Sequence, residues 1–338
     1  MAINRVEIND FLVFKGEFVL DFCTGINVFF GGNGTGKTTL LKVMYGVLNS
    51  KVSACFYSSE LKKSVAFGSG NVRLVFDNDS TAMFSQGGYN EDAGSIVHPL
   101  AGEIKTYGAG MSSFVREGSI KETPSVFIPE KDMLSHSFGL LALKHERHSI
   151  PFDDTLTDII AKAQLYPKKD MFNNPLCAKI RAIIGGEVAY DNDMFTILKD
   201  NDRTQVPFPL EASGYRKLGL LWKLLRNGLL DSGSILFWDE PENSLSPEIV
   251  PVLVDVLLEL SRNRVQIFVA THSELLASYF AVSRDKGDFV MFTSLFKDGE
   301  QIKAEKSDRF DLLTPNHLTT EPLRLYEKEI EKGLGGNV

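Results

Sequence analysis

The chain has 338 residues, 43% hydrophobic and 24% charged, the balance of an ordinary globular protein with room for one large domain or two modest ones. Its 36 Lys and Arg against 44 Asp and Glu give a net charge of −8, so the chain as a whole is a poor non-specific nucleic-acid binder, while a local basic patch stays open. The three cysteines, Cys23, Cys55 and Cys177, have neither metal spacing nor a disulfide pattern and read as reduced, packed thiols of a cytoplasmic protein.

In chain order, the polar start (Asn4, Arg5, Glu7, Asn9, Asp10) is no secretory signal. Nowhere does an apolar run approach the roughly 18 residues of a membrane span. Ile3 to Ile8 alternates as a strand, Phe11 to Gly16 reads as a turn, and Glu17 to Phe22 as a second strand. Ile26 to Phe30 is an apolar strand, and a helix from Lys37 ends near Leu48. Residues 51–90 read as a β-rich flap with a hairpin across Asp77-Asn78-Asp79-Ser80. Residues 87–124, rich in Gly and Ser, read as a partly mobile, loop-rich insertion.

Ser125 to Ile128 is a short buried strand stopped by Pro129. Helices are expected at about 132–147, 153–166 and 175–185, and Leu156, Ile159, Ile160 and Ala163 share one face of the second. A hairpin follows across Asp191-Asn192-Asp193. Beyond it come a helix from Ser213 to Asn227, a buried strand Ile235 to Trp238, and an amphipathic helix Pro247 to Ser261. Val265 to Ala270 is another buried strand. Phe289 to Phe296 and Ile302 to Glu305 form a terminal hairpin, Leu323 to Lys332 a last helix, and Leu334 to Val338 a frayed tail.

Gly31-Gly32-Asn33-Gly34-Thr35-Gly36-Lys37-Thr38-Thr39 stands between a strand and a helix, the context of a phosphate-binding loop. Glycines let several backbone N–H groups converge on one anion, and the helix start adds its positive dipole end. Lys37 would reach the β- and γ-phosphates, and the Thr38 hydroxyl would ligate Mg²⁺. Downstream, a buried strand ends in Asp239-Glu240-Pro241. Asp239 would hold the metal, and Glu240 would polarise an attacking water as general base. Val269-Ala270-Thr271-His272-Ser273 ends another buried strand at a histidine that could donate to a γ-phosphate. Ser213 and Gly214 begin a helix followed by Arg216 and Lys217, so that helix start is an anion site.

In this order, P-loop, serine-glycine helix start, acid pair with proline, and Thr-His-Ser, the motifs resemble those of ABC-type ATPases. The pattern from Ile3 to Thr39, and the loop Glu240 to Pro247, look like the SMC/RecF/OLD branch; the resemblance covers residues 1–48 and 206–280. It implies an α/β fold with a mixed central sheet, an antiparallel N-terminal β-subdomain and an inserted helical lobe. The implied division is 1–90 and 206–310 as the two halves of the core, 91–205 as the lobe, and 311–338 as C-terminal helix and tail. It further implies Mg-ATP held between two copies, with Gly31, Asn33, Gly34, Thr35, Gly36, Lys37, Thr38 and Thr39 on the phosphates. Thr38 and Asp239 would take the metal, Lys37, Glu240 and His272 the catalysis, and Ser213 and Gly214 would act across the dimer. Slow ATP hydrolysis would gate a separate effector protein, by analogy with ATPase subunits of bacterial phage-defence systems. The alternatives are a RecF-like repair ATPase that binds DNA or RNA, a transporter subunit, and a catalytically weak ATP switch.

Three departures qualify the resemblance. The signature is Glu211-Ala212-Ser213-Gly214-Tyr215 rather than Leu-Ser-Gly-Gly-Gln. Gln86 and Glu130 compete for the glutamine-loop position. No long heptad pattern runs through 50–205, so a coiled-coil arm is not expected; nor, with only about 50 residues after the core, is a fused C-terminal nuclease. Phe14 and Lys15 stand where relatives touch the adenine, with a packed phenylalanine and a solvated lysine as the alternative.

Overall fold

A computed structural model describes residues 1–56, 69–87, 112–120, 123–147, 152–171 and 174–333. The first part of the chain forms β1 (Ile3–Phe11), β2 (Phe14–Asp21), β3 (Ile26–Gly31), α1 (Lys37–Leu48), β4 (Gly70–Phe76), β5 (Thr81–Gln86) and β6 (Ser112–Glu117). The middle forms β7 (Ser125–Ile128), α2 (Leu140–Arg147), α3 (Asp154–Gln164), α4 (Pro175–Ile184), β8 (Gly186–Asp191), β9 (Met194–Lys199) and β10 (Gln205–Pro207). The last part forms α5 (Ser213–Arg226), β11 (Ile235–Asp239), α6 (Val250–Arg262), β12 (Gln266–Ala270), α7 (Glu274–Ser283), β13 (Val290–Asp298), β14 (Gln301–Ser307) and α8 (His317–Gly333).

Among the described residues, three sheets form. A mixed six-stranded sheet runs β14-β13-β3-β12-β11-β7, parallel throughout except for the β13–β14 hairpin. An antiparallel five-stranded sheet runs β2-β1-β4-β5-β6, and β10-β9-β8 form a small third sheet. The inner strands of the mixed sheet are buried on both faces, which is why they read as continuous apolar runs rather than alternations.

The core divides by sheet face. Val28, Phe30, Leu236, Trp238, Ile267 and Val269 pack with α5, α6, α7 and the α3–α4 lobe. Phe29, Phe237, Phe268 and Ala270 pack with α1 and the antiparallel sheet. Helix α1 therefore lies between two sheets, and nine of its residues are buried. Phe268 stacks on Phe29 at 6.3 Å and on Phe237 at 5.1 Å between ring centroids, tying the three central strands together beneath α1. The lobe helices contribute Ile159, Ile160, Ile180 and Ile184 to the same core as Leu218 and Leu221 of α5.

Several elements depart from the sequence reading. Strand β6 falls in the stretch read as loop; it pairs with β5 from Ser112 to Glu117 and buries Phe114. The rest of that loop reading, and the tail 334–338, lie largely or wholly outside the described residues. The helix expected over 132–147 is split. Asp132 accepts the N–H groups of Leu134 and Ser135 to cap a short turn, Gly139 is left-handed at φ 64°, and α2 starts only at Leu140. Helix α8 begins earlier than expected, at His317, because the Asn316 side chain accepts the Leu318 N–H and Pro322 is tolerated inside.

Candidate nucleotide-binding site

The parallel register brings three loops to one edge. Phe29 lies beside Ala270, and Ala270 beside Asp239, so the C-terminal ends of β3, β12 and β11 deliver the glycine loop, the Thr271-His272 turn and the acid pair together. Ligands bind at such a carboxyl edge in open α/β sheets.

The glycine loop is fixed by close approach. A Cβ on Gly31 would stand 2.1 Å from the Leu295 carbonyl oxygen, and Gly36 is left-handed at φ 89° with Val13 and Phe14 pressed against it. The Thr35 hydroxyl donates to the Gly32 carbonyl at 2.9 Å. Gly36 is the N-cap of α1 and supplies no side chain, so the first-turn N–H groups face the loop without a side-chain acceptor. Lys37 Nζ donates to the carbonyls of Gly31 at 2.9 Å and Gly32 at 3.1 Å. Burial pushes its ammonium pKa down, while Glu240 and Asp239 oppose the shift. Asn33 and Gly34 are exposed at the loop tip, and Thr39 is half-buried.

The Thr38 hydroxyl donates to Asp239 Oδ1 at 3.1 Å. Burial holds the Asp239 carboxyl above the usual range, against the lowering effect of that hydrogen bond. Two hard oxygens from different elements, one on a desolvated carboxylate, suit a divalent cation that takes its other ligands from phosphate and water. Glu240 is left-handed at φ 48°, and its N–H donates to the Ala270 carbonyl at 2.8 Å. Burial, then the charges of Glu130 and Asp239, raise its carboxyl pKa. His272 Nε2 lies 3.5 Å from Glu240 Oε1. Burial, then Lys37, push the imidazole pKa down, which favours the neutral ring.

Residues 127–278 match the family described as AAA domain, putative AbiEii toxin, Type IV TA system, and residues 5–107 match a second AAA-domain family. Over 139 residues the chain is 27% identical to the chromosome partition protein Smc of Thermoplasma acidophilum, a match that spans 36% of this chain and only 12% of that protein. Among solved structures, the SMC head domain from Thermotoga maritima superposes with a TM-score of 0.50 at 15% identity, over 91% of this chain and 99% of the other. An SMC head bound to the C-terminal winged-helix domain of ScpA gives 0.57 at 14%, over 91% and 98%. A Pyrococcus furiosus SMC head, bound to the C-terminal domain of ScpA, gives 0.55 at 12%, over 98% and 99%. The chain has the ABC-type P-loop ATPase fold of the SMC-like branch.

In this SMC-like head, Ser213 is the first residue of α5 rather than its cap, because Ala212 occupies the cap position. The Ser213 hydroxyl is exposed and donates to the Ser244 carbonyl at 3.2 Å. Gly214 is buried, and a Cβ there would meet Leu245 at 3.3 Å. Both residues thus sit beside the Ser244-Leu245 loop rather than at the head's own glycine loop.

Of the two glutamine-loop candidates, Glu130 follows β7 and its Oε1 accepts the Asn243 amide at 3.0 Å, next to the acid pair. Gln86 ends β5 in the antiparallel sheet, opposite Gly70 and Ser112. Phe14 is fully buried, with its ring 4.7 Å from Phe18, so the packed alternative holds and Lys15 is solvated. Its neighbour Val13, 38% exposed, is the apolar side chain that flanks Gly36 at the surface.

Two site residues, Glu242 and Lys297, escaped the sequence reading, and Lys217, read there as positive charge beside an anion site, instead holds the acid turn. Lys217, on α5, donates to the carbonyls of Glu240 at 2.7 Å, Asn243 at 2.8 Å and Pro241 at 3.4 Å. Its spacing of four from Ser213 was the available signal, one helical turn along the same face. Glu242 reaches from the acid turn to Thr271 and His272. Lys297, exposed near the end of β13, lies 3.5 Å from where a Cβ on Gly34 would be, and no local pattern announces it.

Proposed function

We propose that this head binds Mg-ATP at the carboxyl edge of its mixed sheet and hydrolyses it between two copies of the chain. The hydrogen bond between Thr38 and Asp239 carries this reading, because it joins the glycine loop to the acid pair at a distance one cation could bridge. First-turn N–H groups of α1 and the backbone of Gly31, Asn33, Gly34, Thr35, Gly36 and Thr39 cradle the phosphates. Lys37 exchanges its loop carbonyls for phosphate oxygens. Thr38 and Asp239 would hold Mg²⁺, which neutralises phosphate charge when bound. Glu240, its pKa raised above the usual carboxylate range by burial and by the charges of Glu130 and Asp239, takes the proton of the attacking water. His272 donates to the γ-phosphate. Ser213 and Gly214 close the site of the opposite copy.

The core is built from 1–90 and 206–310 together with strands β6 and β7, which fall within 91–205; the rest of 91–205 is the inserted lobe, and 311–338 is appended. The homodimer, or a higher oligomer built from it, gates a protein effector, and the AbiEii-type family match favours a defence setting. The Smc relative favours a second reading in which DNA or RNA is the direct ligand, testable as nucleic-acid stimulation of turnover.

ATP turnover and sedimentation of wild type and Glu240→Gln test the proposal. Turnover in the variant should fall about 10²- to 10⁴-fold while an ATP-bound dimer accumulates. Equal turnover in both proteins, or a variant that stays monomeric with saturating Mg-ATP, overturns it.

A further inference from the structure

The turn after the acid pair carries a third carboxylate, Glu242, that the proposed mechanism leaves unused. Its side chain crosses from the β11 loop to the β12 loop. Oε1 accepts the Thr271 hydroxyl at 2.6 Å and the main-chain N–H of His272 at 3.0 Å. Thr271 is fully buried, and its hydroxyl oxygen in turn accepts the Ser273 N–H at 2.9 Å. One oxygen of Glu242 thus organises three consecutive residues around the histidine. The other, Oε2, is buried with no hydrogen-bond partner among the described residues.

The turn that bears Glu242 is held from its other side as well. Lys217 grips the carbonyls of Glu240 and Asn243, which bracket Glu242 in sequence. The backbone is left-handed at Glu240 and again at Ser244, with φ 48° and 64°. Strain of this kind persists only where neighbouring contacts over-determine it. The outcome is a bridge: the Glu242 side chain, two residues after Glu240, holds the peptide N–H of His272, and the Glu240 and His272 side chains end 3.5 Å apart.

We propose that Glu242 is a positioning residue. Through Thr271 and the His272 N–H, it sets the distance between the histidine and Glu240 so that both meet one phosphoryl group. This inference rests on the reading that Glu240 and His272 act on ATP. Glu242 itself contacts neither nucleotide nor water in the reaction; it acts through His272. What the bridge needs is an acceptor oxygen rather than a charge, so glutamine can replace it and alanine cannot.

Steady-state kinetics of Glu242→Ala, Glu242→Gln, Thr271→Val and the Glu242→Ala/Thr271→Val double variant test this, with Glu240→Gln as reference. Glu242→Ala should lower kcat about 100-fold with KM for ATP within about twofold of wild type, and Glu242→Gln should recover to within about fivefold. Thr271→Val should lose about tenfold alone and less than about twofold more in the Glu242→Ala background, because the two share one bridge. If Glu242→Ala does not fold, Glu242→Gln and Thr271→Val decide the matter: a Gln variant as active as wild type within about fivefold supports the bridge, and a Thr271→Val variant with unchanged kcat overturns it. Wild-type kcat in Glu242→Ala, equal loss in Ala and Gln variants, or additive losses in the double variant also overturn it. Wild-type turnover in Glu240→Gln would instead sink the ATPase reading beneath it.

Discussion

The Thr38 hydroxyl lies 3.1 Å from Asp239 Oδ1, a hydrogen bond between residues 201 positions apart. It spans the narrow gap between the start of α1 and the end of β11, and both oxygens are of the kind Mg²⁺ prefers. Asp239→Asn keeps an acceptor for Thr38 but removes the carboxylate. Nucleotide binding measured by calorimetry should then lose its magnesium dependence. Wild type should weaken about 10- to 100-fold when Mg²⁺ is chelated, while the variant should bind at that weakened level with or without the ion. An Asp239→Asn variant that still tightens on ATP when Mg²⁺ is added places the metal elsewhere.

Ser213 is exposed at the first turn of α5, and its hydroxyl donates to its own Ser244 carbonyl; the proposed function gives it a role toward the nucleotide of another copy. Ser213→Arg adds bulk to an exposed position and should leave ATP binding to the monomer intact while stopping turnover. Mixing it with Glu240→Gln separates a shared site from a private one. In a mixed two-fold pair both defects fall on one site and the other is wholly wild type, so equimolar mixing should restore about a quarter of wild-type turnover. Two inactive proteins that stay inactive when mixed would mean that each head works alone.

The chemistry-bearing turns were legible because each is local. A strand, a glycine turn and a helix in succession mark 26–48, and a buried strand ending in two acids marks Ile235 to Glu240. Tertiary contacts hid the rest. Strand β6 exists because β5 offers it an edge, a pairing that Gly- and Ser-rich surroundings do not announce. The burial of Phe14 depends on Gly36 and Phe18 closing over the same turn. Lys217 reads in sequence as positive charge at a helix start and Glu242 as one residue of the Glu240–Pro247 loop; their contacts with the turn at 240–244 and with Thr271 and His272 depend on the fold. The break at Gly139 was visible as a glycine, but its left-handed backbone was not.

Burial pushes the Lys217 ammonium pKa down to about 8, with Glu242 and Glu240 opposing the shift. Below that value Lys217 carries three donors for its three carbonyls; above it the neutral amine carries two and the charge is gone. The turn holding Glu240 should therefore loosen as pH rises through about 8. The kcat profile should show an alkaline fall there, and Lys217→Arg, which stays charged, should move that limb upward. A flat wild-type profile between about pH 7 and 9, or an unmoved limb in the Arg variant, counts against the contact.

Lys162 joins the lobe to the core: its Nζ donates to Tyr45 Oη at 2.6 Å and to the Ser125 carbonyl at 2.7 Å. Burial, then the charge of Lys51, push its pKa down from 10.5 to about 7, while Lys51 itself pairs with Asp158. An unfolded chain keeps the Lys162 proton up to about 10.5 and the folded chain only to about 7, so between these values the unfolded state binds more protons. Stability contributed by this group must therefore rise with pH across that window. From pH 6.5 to 9 the gain amounts to about 2 kcal/mol. Lys162→Met loses two hydrogen bonds, so its absolute stability is not diagnostic, but its slope is. Urea unfolding should show the pH-dependent gain of wild type reduced by about 2 kcal/mol in the variant. Parallel curves for the two proteins would mean that Lys162 stays protonated in the folded head, and that the ammonium is accommodated among Tyr45, Lys51 and Asp158 despite its burial.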